Sequence, residues 1–389
     1  MTRATACLLV VAALLAASAP EAAAQDSVFG VQGLGFLGRP VSARSAGMGG
    51  GESLFDGSSA VSPTSIAAWH GLAGWGVAAQ SDHTFNPGSG QASLAAMRFP
   101  TFGFATPIGG RLIVGVSISD YLNRNYDVTQ TDTVMPRDTA LQVKDRTRAA
   151  GGVTDIRFAV AYRLSARIAV GAGLHVLSGS VQTGVERDFP TDSAYRTFAQ
   201  VTETEYHGLG ASVGAFVTPF QRVVLGFSAR FNGRLSTTDP AGNGTVRLPT
   251  ELAGGLYVAP VDGVMIATTV THANWSVAAP ALVAAGQAPS RDVTSVGAGA
   301  EVSLLRMVGQ VMPLRAGFRW RQLPFPVPEK TVAGTIDAAL TERAVSAGLS
   351  FTLAGGRANM DLAVEGGSRT AGTLSEHFTT ILIGLSIFP

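Results

Sequence analysis

The chain has one cysteine, Cys7, in 389 residues. That cysteine sits in a leader reading MTRATACLLVVAALLAASAPEAAAQ. Arg3 gives a positive start, Leu8 to Ala17 a short apolar core, and Ala22-Ala23-Ala24 a small-residue cleavage site. Residues 1–24 are therefore expected to be a secretory signal peptide, cut before Gln25. The mature chain would then hold no cysteine, which excludes disulfides, thiolate catalysis and cysteine metal sites. Charge is scarce as well. Charged residues make up 14% of the chain and the net charge is +1, so no basic footprint for nucleic acid is present. After the leader, no apolar run reaches the length of a membrane-crossing helix.

What the chain has is glycine, 47 residues of it, and alternation. An exported, mildly hydrophobic chain without a membrane helix fits one architecture in a Gram-negative cell. That is an outer-membrane β-barrel, whose strands need only every second residue to be apolar. In RLIVGVSISDY, Leu112, Val114, Val116 and Ile118 share one face, against Ile113, Gly115, Ser117 and Ser119. In LRAGFRWRQ, Leu314, Ala316, Phe318 and Trp320 oppose Arg315, Gly317, Arg319 and Arg321. In RANMDLAVEGG, Met360, Leu362 and Val364 oppose Asn359, Asp361, Ala363 and Glu365. A soluble sandwich would bury the apolar face, whereas a membrane barrel turns it to lipid and the small or charged face to the lumen. Gly, Ala and Ser opposite the apolar face favour the barrel.

Strands are expected at 71–82, 91–105, 111–121, 153–164, 166–179, 205–218, 221–235, 246–259, 263–274, 292–305, 311–321, 342–354, 357–369 and 376–388. Their number, fourteen, is even, as in single-chain bacterial barrels. The links alternate in length. TPIGG, Ser165, PF, APVD, RMVGQ and AGG are short, and the intervening links are mostly long and polar. Short periplasmic turns and long outer loops give that asymmetry. The last strand, HFTTILIGLSIFP, ends in Phe388 with Pro389 after it. The expected fold is all-β: a fourteen-stranded antiparallel transmembrane β-barrel over residues 71–389.

Residues 25–70 do not alternate. They contain SAGMGGGESLFDGSSAVSPTSIAAW, with four glycines within five positions. The cluster is not a dinucleotide fingerprint, because Glu52 stands where the third glycine belongs, and no Gly-Lys-Ser/Thr follows for a P-loop. A segment of this size suits a hatch inside the lumen of a barrel that would otherwise be open. Ser62-Pro63 reads as an N-cap and first-turn proline of a short helix.

This stretch resembles the N-terminal hatch of the FadL-type outer-membrane transporter superfamily, which includes PorV-like relatives. Gly47, Gly49, Asp56, Ala60, Pro63 and Ala67 occupy matching places. Ser62 and Thr64 replace the family's Asn and Ala around the proline, and Gly57 stands where a second acid often lies. LPTELAGGLYVAPVDGVMIATTVTHANWS (248–276) and the region 314–351 resemble the family further on.

The resemblance implies passive uptake of hydrophobic molecules such as long-chain fatty acids. It also implies an outer membrane with its lipid and lipopolysaccharide as surroundings, and assembly by the barrel-assembly machinery. The alternative within the superfamily is a PorV-like shuttle or scaffold that holds secreted cargo through its loops. Gly47, Gly49, Asp56, Ser62, Pro63 and Thr64 are then candidates for gating.

Inward charges are expected at Arg157, Arg230, Glu251, Glu301, Arg315, Arg319, Asp361 and Glu365, with His175 among them. Arg157, Arg230, Arg315 and Arg319 are candidates to hold a ligand carboxylate, or else to pair with acids and anchor the hatch. Two links with unusual apolar content, 274–290 and 322–340, supply candidate capture residues Trp275, Val277, Leu282, Phe325 and Val327. The alternative is that these links pack on each other over the barrel mouth. No G-x-S-x-G elbow and no H-E-x-x-H occur, so no enzymatic activity, cofactor or metal is expected.

Overall fold

The computed structural model describes residues 27–39, 41–56, 74–85, 94–135, 140–189, 196–304, 306–307, 310–331 and 334–387. The expected signal peptide, and Ser62, Pro63 and Thr64 with the helix expected there, lie outside them. The strands in chain order are β1 (Phe36–Leu37), β2 (Gly74–Phe85), β3 (Leu94–Ile108), β4 (Leu112–Asn123), β5 (Tyr126–Val134), β6 (Leu141–Ser165), β7 (Ile168–Asp188), β8 (Phe198–Phe220), β9 (Val223–Asp239) and β10 (Gly242–Arg247). They continue with β11 (Thr250–Val261), β12 (Val264–Ala273), β13 (Val293–Val302), β14 (Arg306–Met307), β15 (Gln310–Val311), β16 (Leu314–Thr331), β17 (Gly334–Leu353), β18 (Ala358–Ala371) and β19 (Leu374–Ile387).

All but β14 and β15 join one seventeen-stranded antiparallel sheet, curled on itself. Each long strand pairs with the next long one. β4 pairs with β6 and β9 with β11, while β5 and β10 are short hairpin partners of β6 and β9. The last strand, β19, pairs with β2 from His377↔Phe85 to Ile387↔Trp75. Among the described residues no helix is long and apolar enough to cross a membrane.

The burial pattern inverts that of a water-soluble protein. On β7, Leu174 is 65% exposed and the adjacent His175 is 0% exposed. Phe158, Val213, Phe227, Leu252, Ile266, Phe318, Val345, Val364 and Ile381 are exposed, while Asp155, Arg157, Arg315, Arg319, Glu342, Asp361 and Glu365 are buried. The period of two places these sets on opposite faces of the same strands. An apolar outer face with buried charge behind it is stable only against an apolar solvent.

Each expected strand overlaps an observed one, but several strands run further. β6, β7 and β8 have 25, 21 and 23 residues, more than double the ~10 that a tilted strand needs to cross a bilayer. β5 and β10 arise in segments expected to be loops. Their extensions alternate one polar residue with another, as in Lys144, Arg146 and Arg148, so no hydrophobic period reveals them. Cross-strand pairs lace them instead. The Arg146 side chain donates to Asp127 at 2.9 Å, and that of Arg187 to Asp145 at 2.6 Å. Such exposed pairs are screened by solvent and add little stability each.

The N-terminal segment, residues 27–56, lies against the inner face of the sheet. Phe36 and Leu37 pair with Asn123 and Leu122 of β4. A short helix, Ala43–Gly47, is capped by the Ser42 hydroxyl, which accepts from the Ser45 N–H at 3.0 Å. Ala43 and Ala46 pack with Ala363 and Leu382. Phe55 stacks on Phe216 of β8 and reaches Tyr257 of β11.

Candidate functional site: the charged inner face and its cavities

On β16, Arg315, Arg319 and Arg321 share the inner face. The Arg315 guanidinium donates to Glu301 (2.6 Å), Asp361 (2.9 Å) and Ser350 (2.6 Å). Arg319 donates to Glu342 (3.0 Å) and Glu365 (2.6 Å). Arg321 and Arg369 also donate to Glu342, at 2.8 and 2.7 Å, and Arg369 reaches Glu376 at 2.6 Å. Every one of these groups is buried. Charges this deep persist only when paired, so the lattice is a structural necessity before it is anything else.

The N-terminal segment plugs into the same lattice. Arg39 donates to Glu365 at 3.0 Å, and Arg44 to Glu52 (2.8 Å) and Glu301 (2.9 Å). The Ser27 hydroxyl donates to Glu376 at 2.6 Å. Phe36 lies beneath the guanidinium groups of Arg321 and Arg369, 5.1 and 4.4 Å from its ring centre, within cation–π range. Asp56 is buried against Ser42. Burial, reinforced by the charge of Glu52, pushes the Asp56 carboxyl up to about 8 against the opposing pull of Arg44 and Ser42.

The glycine cluster owes its composition to close approach. A Cβ on Gly317 of β16 would stand 2.1 Å from the Met48 carbonyl carbon. On Gly49 it would stand 2.4 Å from the Phe318 oxygen, and Gly49 holds a φ of +63°. Backbone rests on backbone here, which a side chain would prevent. The Gly49 N–H donates to Ser346 at 2.9 Å, and the Gly51 carbonyl accepts from Thr269 at 2.8 Å. Gly47 lies against Gly348 in the same way.

Above this floor is a cavity of about 220 Å³. Leu37, Val41, Tyr121, Trp275, Val293 and Val296 line it together with the charged Arg39, Asp120, Arg230, Glu251, Arg319 and Arg321. Its roof is a packed apolar core. Trp275 and Phe325 meet edge to face at 5.3 Å, and Leu282, Tyr121 and Leu248 are buried with them. The candidate capture residues are therefore not landing surfaces. Trp275, Leu282 and Phe325 are buried, and Val277 and Val327 are partly buried. The two apolar links cover one another, since exposed apolar patches of that size are costly in water.

A smaller cavity of about 80 Å³ adjoins the first, sharing Ser53, Arg230, Glu251, Thr269 and Thr271 with it. Beside it runs a chain of polar groups across three strands. Asp155 of β6 accepts from His175 Nδ1 at 2.9 Å, and His175 Nε2 meets the Ser212 hydroxyl at 2.7 Å. Asp155 also accepts from Arg230 at 2.8 Å. The order is that of a nucleophilic relay, but the relay lacks an oxyanion hole. Ser212 sits mid-strand between Gly173 and Arg230, so the backbone N–H groups around it are held in the ladder. The relay's hydrogen bonds tie β6, β7 and β8 together. Among the described residues, Arg157, buried alongside, has Nε and Nη1 without a partner, and Arg230 Nη2 and Arg124 Nε lack one too.

The expected inward charges thus all face inward, and the structure divides them. Arg315, Arg319, Glu301, Asp361 and Glu365 belong to the saturated lattice, Arg157, Arg230 and Glu251 line the smaller cavity, and His175 is buried between Asp155 and Ser212. Glu342, Arg369, Glu376, Asp155 and Ser212 were missed, although the alternation puts them on the same face. Ser42, Arg39 and Arg44 carried no periodic signal at all.

Solved structures share this fold. The CymD monoaromatic hydrocarbon channel superposes with a TM-score of 0.55 at 16% identity, over 92% of this chain and 99% of its own. The toluene transporter TbuX of Ralstonia pickettii gives 0.56 at 15%, over 90% and 98%. A Pseudomonas aeruginosa FadL homologue gives 0.57 at 13%, over 90% and 99%. The FadL-type resemblance read from the sequence holds for the fold. No curated protein matches the chain. One family model, BamG, matches residues 1–232, more than half of the 389 residues, and the chain belongs to the BamG family.

Proposed function

We propose that the chain is an outer-membrane channel for the passive passage of small hydrophobic molecules. The long strands are read as a closed fourteen-stranded barrel. The unbroken series of pairings from β2 to β19, with β19 back on β2, supports this. Residues 25–70 are read as a hatch inside it, supported by the contacts of residues 27–56 with the inner faces of the wall strands. In this reading Gly47, Gly49 and Asp56, together with Ser62, Pro63 and Thr64, govern the docking of the hatch.

The observation that carries the reading is the cavity of about 220 Å³ between the glycine floor and the Trp275 roof. A dry cavity of about 150 Å³ is enough to hold benzene. Pockets for drug-sized ligands start near 300 Å³. The space suits a single-ring compound or a short apolar segment better than a whole long-chain fatty acid. That agrees with fold neighbours described as monoaromatic hydrocarbon and toluene channels.

The seam between β3 and β4 is read as a side route. β3 and β4 are laddered from Ile108↔Leu112 to Thr101↔Ser119. Beyond that point β4 gives Leu122 and Asn123 to β1 instead, next to a register shift between Asp120 and Leu122. The hatch strand occupies this seam, and its Leu37 lines the cavity with Asp120 and Tyr121 of β4.

The test is uptake of radiolabelled toluene by cells with intact lipopolysaccharide that express the chain. Uptake is expected to exceed a vector control and to fall when Ser295→Phe fills the cavity. Uptake equal to the control sinks the channel reading and leaves the scaffold alternative.

A further inference from the structure

We propose that the short-turn end of the wall carries a head-group site for anionic phospholipid of the periplasmic leaflet, built from Arg111, Arg163 and Arg167. The site lies at the far end of the strands from the apolar roof. It needs only that these strands cross the outer membrane, whatever the channel passes. The Arg163 N–H donates to the Arg111 carbonyl at 2.9 Å, which sets the β6–β7 turn beside the β3–β4 turn. The Thr218 N–H donates to the Arg167 carbonyl at 2.8 Å, which sets the end of β8 next in line. Neighbouring strands lie about 4.8 Å apart, so the three arginines fall within reach of one head group. All three are exposed. Arg222 continues the arc on the β8–β9 turn, where it donates to the exposed Asp262 at 3.0 Å.

The charge here has one sign. Residues 106–113, 161–169 and 217–224 hold four arginines and no Asp or Glu. The opposite end of β6 and β7 is mixed, with Lys144, Arg146, Arg148 and Arg187 set among Asp145, Glu186 and Asp188. Depth points the same way. Ile108, Leu164, Ile168 and Phe220 are exposed and lie within three residues of these arginines, so the lipid-facing band runs to the last residues of the strands. Head groups begin where that band stops, in a layer of roughly 5–7 Å per leaflet. An arginine stem can lie along the apolar band while its guanidinium reaches phosphate. Short turns face the periplasm in such barrels, and the leaflet on that side is phospholipid. A zwitterionic head group brings an ammonium, and the turns that bear the arginines offer it no carboxylate. An anionic phosphodiester needs only the donors that are there.

Native mass spectrometry of the full chain in detergent, titrated with phosphatidylglycerol or phosphatidylethanolamine of identical acyl chains, tests this. The wild-type chain is expected to bind phosphatidylglycerol at least about tenfold more tightly, since each arginine near the surface adds about fivefold toward an anionic lipid. Arg111→Gln, Arg163→Gln and Arg167→Gln together should erase the preference, and each alone should reduce it by about fivefold. The side chains are exposed, so the thermal midpoint should stay at the wild-type value. Arg146→Gln with Arg148→Gln, at the opposite end of β6, should leave the preference intact. Glycerol phosphate lacks the chains that lie on the apolar band and should not compete. Equal binding of the two lipids by the wild type overturns the site and leaves the arc to an acidic periplasmic protein. A preference that survives the triple replacement, or that is lost in the opposite-end pair, overturns its placement. Competition by glycerol phosphate overturns the lipid in favour of a free phosphate.

Discussion

The two halves of the inner face use arginine differently. Around β16 to β19, carboxylates serve more than one cation: Glu365 accepts from Arg39 and Arg319. Glu342 alone accepts from Arg319, Arg321 and Arg369. Around β6 to β9, Asp155 is engaged by Arg230 and His175, and Arg157 keeps two nitrogens unmatched. The first half also receives Arg39, Arg44 and Ser27 of the N-terminal segment. Its chemistry is finished within the protein, which makes it an anchor. The second half leaves nitrogens of Arg157 and Arg230 without partners beside the smaller cavity.

Removing an anchor should cost most. Glu342→Ala leaves three buried guanidinium groups without their shared acceptor. Breaking a buried pair costs about 3–5 kcal/mol, so the thermal unfolding midpoint in detergent should fall sharply. A midpoint within a degree or two of wild type would show that the lattice is not an anchor. The next effect is more local. Gly317→Val puts a Cβ 2.1 Å from the Met48 carbonyl carbon, and backbone cannot yield there as a flexible side chain could. Residues 27–56 should become sensitive to protease while the strands stay protected. Unchanged protection would mean that the segment does not need the glycine floor.

The difference between the halves was only partly legible in the sequence. Alternation places Arg157, Arg230, Arg315 and Arg319 on one face, since side-chain direction in a strand follows from position alone. It cannot tell a saturated arginine from an unsaturated one. That depends on which strands become neighbours, and Arg319 meets Glu365 across 46 residues of sequence. The hatch region was visible as a non-alternating glycine cluster, but its helix was expected at Ser62-Pro63 while the described one begins after Ser42. Ser42 lacks the following proline that drew attention to Ser62. Trp275, Leu282 and Phe325 looked like exposed bait because link composition reports hydrophobicity, not burial. Their mutual packing is a tertiary fact.

The anchor half should also respond to pH through Asp56. In the docked segment Asp56 keeps its proton up to about pH 8, whereas its ordinary pKa is 3.8. A carboxyl raised in this way stabilises the docked state fully at acid pH. The contribution declines as pH rises from about 4 and is gone above about 8. Protease protection of residues 27–56 should therefore weaken over that window. Asp56→Asn, which mimics the neutral acid, should flatten the response. A variant with the wild-type pH profile would show that another group carries the proton.

The smallest effect on stability is expected at Arg157, where the contrast between the halves is sharpest. Arg157→Leu removes a buried cation, as Glu342→Ala removes a buried anion. Arg157 leaves no acceptor stranded, because two of its nitrogens have no partner to lose. An apolar replacement of a poorly satisfied buried charge is often neutral or stabilising, by about 1–4 kcal/mol at the upper end. The thermal midpoint of Arg157→Leu should thus equal or exceed that of wild type. A loss comparable to Glu342→Ala would mean that Arg157 is anchored after all. The asymmetry between the halves would then be one of geometry alone.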